Sequence, residues 1–395
     1  MPRRLLCLDT VSMSPVNLFE SVATIKVIGV GGGGCNAVNR MIDAGVEGVE
    51  FVAMNTDRQA LQASKASHRL ALGTMLNRGM GTGGDPSKGE AAARDSEKEI
   101  TAILEGCDMV FITAGMGGGT GTGGAHVVAE LARRLGVLTV GVVTKPFTFE
   151  GGRRGKVASQ AIVELEEKVD TLVVLPNDRM TSTFDRSVAL ADAFQIADDV
   201  LRQGVQGISD IVNRPGMINV DFADVRSVLS NAGRALMGIG VGKGDRRARQ
   251  AAESAANSPM LEAPIVGARK LLVNFTAGSN FSIGEVQEAM EYLNQLADPD
   301  EAEIFMGHVL DESMGDMLSI TLIAAGGGEG KRPADTLVFK RPEPIQIPYA
   351  RAIVEPQQAR PETGGRTTPA PTEAEVEDLV IDIPAFLRQH RERQQ

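Results

Sequence analysis

The chain has no tryptophan, two tyrosines and only 4% aromatic residues in 395. A core of the size this length allows must therefore be aliphatic and alanine-rich, and 43% hydrophobic residues suffice to fill it. Cysteine is scarce as well: Cys7, Cys35 and Cys107 are widely spaced, and no CxxC occurs. An odd, scattered set speaks against a disulfide framework or a zinc site and fits a reducing cytosol. No run of 18 apolar residues exists, so no direct membrane insertion is expected. A net charge of −11 disfavours nucleic acid as the main partner, because phosphate contacts need a basic face. The Walker-type loop G-x-x-x-x-G-K-S/T is absent, since Gly155-Lys156-Val157 lacks both the upstream glycine and the hydroxyl. Kinase signatures are missing too.

Glycine is what the chain has in quantity: 45 residues, gathered in loops with no collagen period. The densest stretch runs from Ala114 to Gly124, and Gly117 to Gly124 holds six glycines and two threonines in eight positions. It follows a buried-strand pattern, Met109 to Thr113, and precedes an amphipathic helix pattern, Val127 to Leu135. Strand, glycine loop and helix in this order aim backbone N–H groups and a positive helix end at an anion. Glycine is costly there unless the backbone must turn sharply or approach a ligand.

The rest of the first half repeats that plan. Thr24 to Val30 reads as a strand running into Gly31-Gly32-Gly33-Gly34-Cys35-Asn36, with a helix over Ala37 to Ala44. Gly29, Gly31 and Gly34 have the GxGxxG spacing in its proper context. Val49 to Met54 is a second strand ending in Asn55-Thr56-Asp57, which is either ligand-facing or a plain Asx-turn. A third glycine loop, Gly79 to Pro86, precedes a helix over Ser87 to Leu104. Leu138 to Thr144 and Leu172 to Leu175 add further strands around one more helix. Strands alternating with helices predict an α/β fold with a parallel, doubly wound, Rossmann-like sheet. Its glycine loops converge on one anion pocket that suits a nucleoside triphosphate.

Ser187 to Arg214 carries apolar residues at three- and four-residue steps and predicts one long helix bridging two domains. Asp198 and Asp199 lie on it, where a solvated face is the ordinary reading. Asn219, Asp221 and Asp224 follow, able to position water or a cation, or simply to cap a helix. Residues 216–330 read as a second, smaller α/β domain. Its strands are Leu271–Thr276, Glu303–Leu310 and Leu318–Ala325, and its helix over Ser282 to Leu296 starts in a capping box with Glu285. His308 reads as structural. Residues 331–378 hold eight prolines in 48 positions and have linker composition. The end, 379–395, regains apolar residues and reads as a docking peptide. Residues 1–21 read as a disordered arm, and Met13 offers a second start.

In their shared order, Lys26 to Asn39, Asn55-Thr56-Asp57, Gly117 to Gly123, Thr144 to Glu150, Pro176-Asn177-Asp178, Asn219 to Val225 and Asp382 to Arg388 resemble the tubulin/FtsZ family. Within it they are similar to the bacterial branch that polymerises into the cell-division ring. The resemblance covers about residues 22–328 and the tail. It implies a GTP-binding domain over 22–186, a core helix over 187–215 and a GTPase-activating C-terminal domain over 216–330. GTP or GDP, with Mg2+ beside the triphosphate, would sit across Gly32, Gly33, Gly34, Cys35, Asn36, Ala37, Asn55, Gly118, Gly119, Thr120, Gly121 and Thr122. Glu150 and Arg154 would meet the sugar and phosphates, and Asn177, Phe194 and Asp199 the guanine. Asn219, Asp221 and Asp224 would complete the active site of the neighbouring copy in a head-to-tail polymer.

The resemblance also implies partners and place. Asp382, Ile383, Pro384, Phe386 and Leu387 would dock membrane-anchoring and regulatory division proteins, and the protein would be cytoplasmic, at the mid-cell division site. His126 stands where the family usually has proline, which predicts a less fixed start to its helix, and Gly124 stands where alanine is usual. Two alternatives remain: a nicotinamide-dependent oxidoreductase on Gly29-x-Gly31-x-x-Gly34, and a tubulin-like filament protein for plasmid segregation. The first leaves 117–123 unexplained, and the tail speaks against the second.

Overall fold

A computed structural model describes residues 23–74, 79–181, 188–214, 216–218 and 220–326. The first half alternates as expected. It runs β1 (Ile25–Val30), α1 (Gly31–Asp43), β2 (Glu50–Asn55), α2 (Arg58–Gln62), β3 (His68–Ala71), α3 (Pro86–Asp95), α4 (Glu97–Leu104), β4 (Met109–Gly115), α5 (Thr120–Arg134), β5 (Leu138–Lys145), α6 (Gly152–Glu166), β6 (Thr171–Pro176) and α7 (Asn177–Thr181). The core helix α8 (Leu190–Asn213) leads to α9 (Phe222–Leu229), β7 (Gly233–Lys243), α10 (Arg247–Ala256), β8 (Lys270–Ala277), α11 (Ile283–Asn294), β9 (Glu303–Leu310) and β10 (Met317–Ala325).

The described strands form one sheet in the order β3-β2-β1-β4-β5-β6-β7-β10-β8-β9. From β3 to β6 every pairing is parallel, and helices cover both faces. That is why Met109 to Ala114 is buried at every position and not only at alternate ones. One face packs Val27, Phe111 and Val140 against Met41 of α1 and Val205 and Ile208 of α8. The other packs Ile28, Val110 and Ile112 against Ile100 of α4, Val128 of α5 and Ile162 of α6. β7 joins the halves: Gly233 to Ala235 pair in parallel with Thr171 to Val173, and Leu236 to Lys243 pair antiparallel with Met317 to Ala324.

Several sequence expectations needed correction. The glycine-rich stretch after β1 is itself the start of a helix, since α1 begins at Gly31, and α5 begins at Thr120 within the second stretch, after a loop over Gly117 to Gly119. Ser87 to Leu104 is two helices separated at Ser96, whose hydroxyl accepts a hydrogen bond from Gly73 N at 3.1 Å. β7, α9 and α10 were not anticipated. The signal was present: Gly238, Gly240 and Gly242 alternate on one face of β7, and a Cβ on each would lie 1.9–2.1 Å from a carbonyl oxygen of α10. Only glycine lets that alanine-lined helix (Ala248, Ala251, Ala252, Ala255) lie so close.

The capping box at Ser282 and Glu285 forms as expected. His308 is buried and stacked on Phe281 at 5.2 Å, in line with a structural role. No described helix is long and apolar enough to cross a membrane.

Candidate functional site

β1 passes into α1 and β4 into α5 at the carboxyl ends of adjacent parallel strands, so two helix N-termini meet there. Contact is backbone to backbone. Gly31 has φ +72°, and a Cβ on it would lie 2.6 Å from Gly121 N. A Cβ on Gly121 would lie 2.8 Å from Gly115 O, and one on Gly34 would lie 2.3 Å from Thr113 O. Gly32 faces open space, and Gly118 has only Arg154 Nη2 nearby, at 3.9 Å. Thus Gly31, Gly34 and Gly121 let the chain close up, while Gly32 and Gly118 leave room beside it. Neither helix has a side-chain cap or an acidic residue in its first turn. Two unneutralised positive helix ends aimed together form an anion site.

The hydroxyls do other work. Thr120 Oγ1 lies 2.6 Å from Thr56 Oγ1 and 3.5 Å from Thr82 Oγ1, all buried. Thr122 Oγ1 accepts from Gly117 N at 2.9 Å. Thr120 and Thr122 therefore shape the loops with their side chains, and what they offer a phosphate is main-chain N–H. Gly119 is equally crowded, since its Cβ would fall 2.0 Å from Thr82 Oγ1. Cys35 is buried, and desolvation pushes its thiol up to about 12, so it offers no nucleophile. Asn36 is exposed and Ala37 buried on the same helix. Asn55 Oδ1 accepts from Asp57 N at 3.2 Å, and Asp57 caps α2 through Gln59 N and Ala60 N. The Asx-turn thus forms, and it brings Thr56 to Thr120.

A second wall comes from β5 and β6. Glu150 accepts from Phe147 N at 2.8 Å and pairs with Arg154 at 2.7 Å. The Arg154 backbone lies against Gly117, where a Cβ would meet Arg154 O at 2.7 Å. Phe147, Phe149 and Phe194 form an aromatic group with ring centroids 4.9–6.3 Å apart, Phe149 being 61% exposed. Asn177, at the start of α7, is 6% exposed, and its Oδ1 accepts no hydrogen bond.

Asp221 and Asp224 lie at the other end of the sheet. α8 has 24 residues, about 36 Å of helix. Its last residue, Asn213, donates to Gly48 O at 3.0 Å, just before β2 begins. Arg226 of α9 donates to Gly136 O at 2.9 Å, just before β5. The stretch between belongs to the amino ends of the strands, remote from the glycine helix starts. Asp221 caps α9 by accepting from Asp224 N at 2.8 Å. Asn219 and the tail motif Asp382, Ile383, Pro384, Phe386 and Leu387 lie outside the described residues.

Residues 24–185 match a family model described as Tubulin/FtsZ family, GTPase domain, and residues 233–328 one described as FtsZ family, C-terminal domain. FtsZ from M. jannaschii, in a structure of an empty dimer, is 41% identical with a TM-score of 0.74. That match covers 77% of this chain and 88% of that one. The chain belongs to the tubulin/FtsZ family. Two further tubulin/FtsZ-like structures share the fold at 19% identity. One is GDP-bound monomeric CetZ1 from Haloferax volcanii (TM-score 0.67, 78% of this chain and 95% of that). The other is a GTPγS-bound CetZ2 protofilament from the same organism (TM-score 0.66, 78% and 94%). As a tubulin/FtsZ GTPase the chain is no oxidoreductase, and the GxGxxG spacing is explained by the packing of Gly29, Gly31 and Gly34.

Asp199, expected at the base, spends both carboxylate oxygens on its own helix, on Arg202 Nε and Gln203 Nε2, each at 2.6 Å. Asp198 is the adjacent carboxylate on the same helix. It lies one helical turn after Phe194 and senses Arg40 of α1, the helix that carries the glycines. Burial pushes it up to about 7, with Arg40 opposing and Asp199 reinforcing the rise. The i, i+4 spacing from Phe194 was the signal in the sequence. His126 also reads differently: it lies in the second turn of α5, where Nε2 is 2.9 Å from Ala161 O of α6. It ties two helices together.

Proposed function

We propose that this FtsZ-family GTPase binds GTP across the starts of α1 and α5 and hydrolyses it at the junction between consecutive copies in a head-to-tail polymer. The observation that carries this reading is the separation along α8. Glycine helix starts stand at one end of the sheet, and Asp221 and Asp224 at the other. Stacking copies end on end brings the carboxylates of one to the nucleotide of the next.

The chemistry follows from the residues. The N–H groups of Gly32 to Gly34 and of Thr120 to Thr122 hold phosphate oxygens and gain strength as charge develops in the transition state. Asp221 is occupied as a cap, so it fixes the segment, and the Asp224 carboxylate remains to orient or deprotonate water. Asn177 and Asp198 read the guanine, because a carboxylate accepts from N1–H and the 2-amino group together. Phe149 and Phe194 cover it, and Glu150 and Arg154 meet the sugar and phosphates. Among the described residues no three His, Cys, Asp or Glu converge to hold a metal. Mg2+ would be held mainly by phosphate oxygens and water, neutralising phosphate charge. We also assign residues 22–186, 187–215 and 216–330 to the nucleotide domain, core helix and C-terminal domain. The tail recruits anchoring and regulatory division proteins at mid-cell. Identity of 41% to FtsZ against 19% to the CetZ proteins favours division over another filament cargo.

The test mixes purified protein with GTP and Mg2+ and follows light scattering and phosphate release together. Both should rise steeply above a critical concentration. Turnover per molecule that is independent of protein concentration would overturn the shared site. Asp224→Ala should keep GTP binding and lose hydrolysis; loss of binding would place that residue in its own chain's pocket.

A further inference from the structure

Glu262 lies between α10 and β8, in the C-terminal half, and three cations converge on its carboxylate or backbone, two of them from the nucleotide half. Lys145 Nζ, at the end of β5, is 2.5 Å from Oε1. Arg234 Nη1, in β7, is 3.6 Å from Oε2, and its Nη2 reaches Glu166 of α6 at 3.2 Å. Arg179 of α7 donates to the backbone, Nη2 to Glu262 O at 3.0 Å and Nη1 to Leu261 O at 2.6 Å. The Glu262 side chain is 16% exposed, while those of Lys145 and Arg234 are 32% and 38% exposed.

Two of the cations adjoin the nucleotide site. Lys145 stands two residues before Phe147, whose N–H orients Glu150. Arg179 stands two residues after Asn177, whose buried amide oxygen has no partner. α7 has five residues, too few to hold its shape without anchors. The turn after β5 and the start of α7 are tied to each other by Thr148, whose N–H and hydroxyl donate to Asp178 at 2.8 and 2.6 Å, and both are held in addition by the Leu261–Glu262 segment of the other half.

We propose that Glu262 is a positioning residue for the guanine and ribose end of the nucleotide. It holds the 145–150 turn and α7 so that Phe147, Glu150 and Asn177 stand in binding geometry before the nucleotide arrives. This rests on the GTP reading above. Because Glu262 belongs to the segment leading into β8, a shift of the C-terminal half reaches the base pocket through it.

The test measures affinity for a fluorescent GDP analogue on the full chain below its assembly concentration, beside the unfolding midpoint without nucleotide. Glu262→Ala should weaken binding about tenfold, the scale of one charge-assisted contact. Lys145→Met should do likewise, and combining it with Glu262→Ala should add little; Arg179→Ala should weaken binding independently, because its backbone partners survive Glu262→Ala. Exchanging charges, Lys145→Glu with Glu262→Lys, should recover part of the loss. Arg234→Ala should lower the midpoint and leave affinity alone. A Glu262→Ala protein that unfolds earlier but binds GDP as the wild type does would overturn the proposal, as would simply additive losses from Lys145→Met and Glu262→Ala. Failure of the wild type itself to bind GDP would instead remove the underlying reading.

Discussion

The hydroxyl oxygens of Thr56 and Thr120 lie 2.6 Å apart inside the protein, with Thr82 Oγ1 3.5 Å from Thr120. The end of β2, the loop before α3 and the first residue of α5 are pinned at this point. A buried hydroxyl that loses its partner costs about 1–3 kcal/mol. Thr120→Val keeps the shape and strands Thr56, so urea unfolding should show a loss of that size with weaker GDP binding. Thr120→Ser should restore both.

Gly31 and Gly32 are neighbours with opposite tolerances. Gly31→Ala must bear both a left-handed backbone and a methyl 2.6 Å from Gly121 N. It should drive α1 and α5 apart and abolish GDP binding in a calorimetric titration. Gly32→Ala meets nothing within 4 Å and should bind GDP much as the wild type does. Equal binding by both variants would show that the helix starts need not touch.

Asp198 makes nucleotide affinity depend on pH. Its pKa is raised by burial from 3.8 to about 7. In the empty protein such a group contributes stability below its unfolded value, and that contribution is lost as pH rises through 7. Guanine needs the ionised form as acceptor, so binding should release a proton. GDP affinity should therefore fall about tenfold between about pH 8 and about pH 6, while stability of the empty protein moves the opposite way. Asp198→Asn should bind weakly and flatten the profile. A wild-type affinity constant across that range would exclude Asp198 from the base pocket.

Arg247 offers a control remote from the nucleotide. It is 5% exposed and donates to both Glu285 oxygens, at 2.5 and 3.3 Å, to Gly315 O and to Asn280. Burial alone would raise Glu285, but Arg247 and Ser282 outweigh it and hold the carboxyl below its ordinary range. That stability is present above the unfolded carboxylate value and lost as pH falls. Arg247→Met leaves a part-buried carboxylate without its cation and should cost about 3 kcal/mol in thermal or urea unfolding. GDP affinity should stay unchanged.

Much of this was legible in the residues. Parallel strands announced themselves as unbroken apolar runs such as Met109 to Ala114, and the glycine clusters marked the carboxyl ends of β1 and β4. Helix onset was hidden, because glycine is a poor helix former and Gly31 to Gly34 look like loop until their contacts are seen. The roles of Thr120 and Thr122 were hidden for a related reason: which way a hydroxyl points depends on Thr56, Thr82 and Gly117, remote in sequence. Asp199 and Asp198 differ by one residue and about 100° around α8, and sequence alone does not say which side of the helix meets what. β7 escaped notice because its alternate glycines, made for α10, dilute the strand pattern.

The distance along α8 also fixes how sites are counted. Each molecule carries one nucleotide end and one carboxylate end, so a linear chain of copies contains one fewer complete site than it has members. On the shared site proposed above, the nucleotide at one terminus lacks its carboxylates and should stay unhydrolysed until another molecule arrives. Short filaments are therefore slower per molecule than long ones, and one end keeps its triphosphate longest. Growth and decay are told apart by chemistry at the two ends of a single helix.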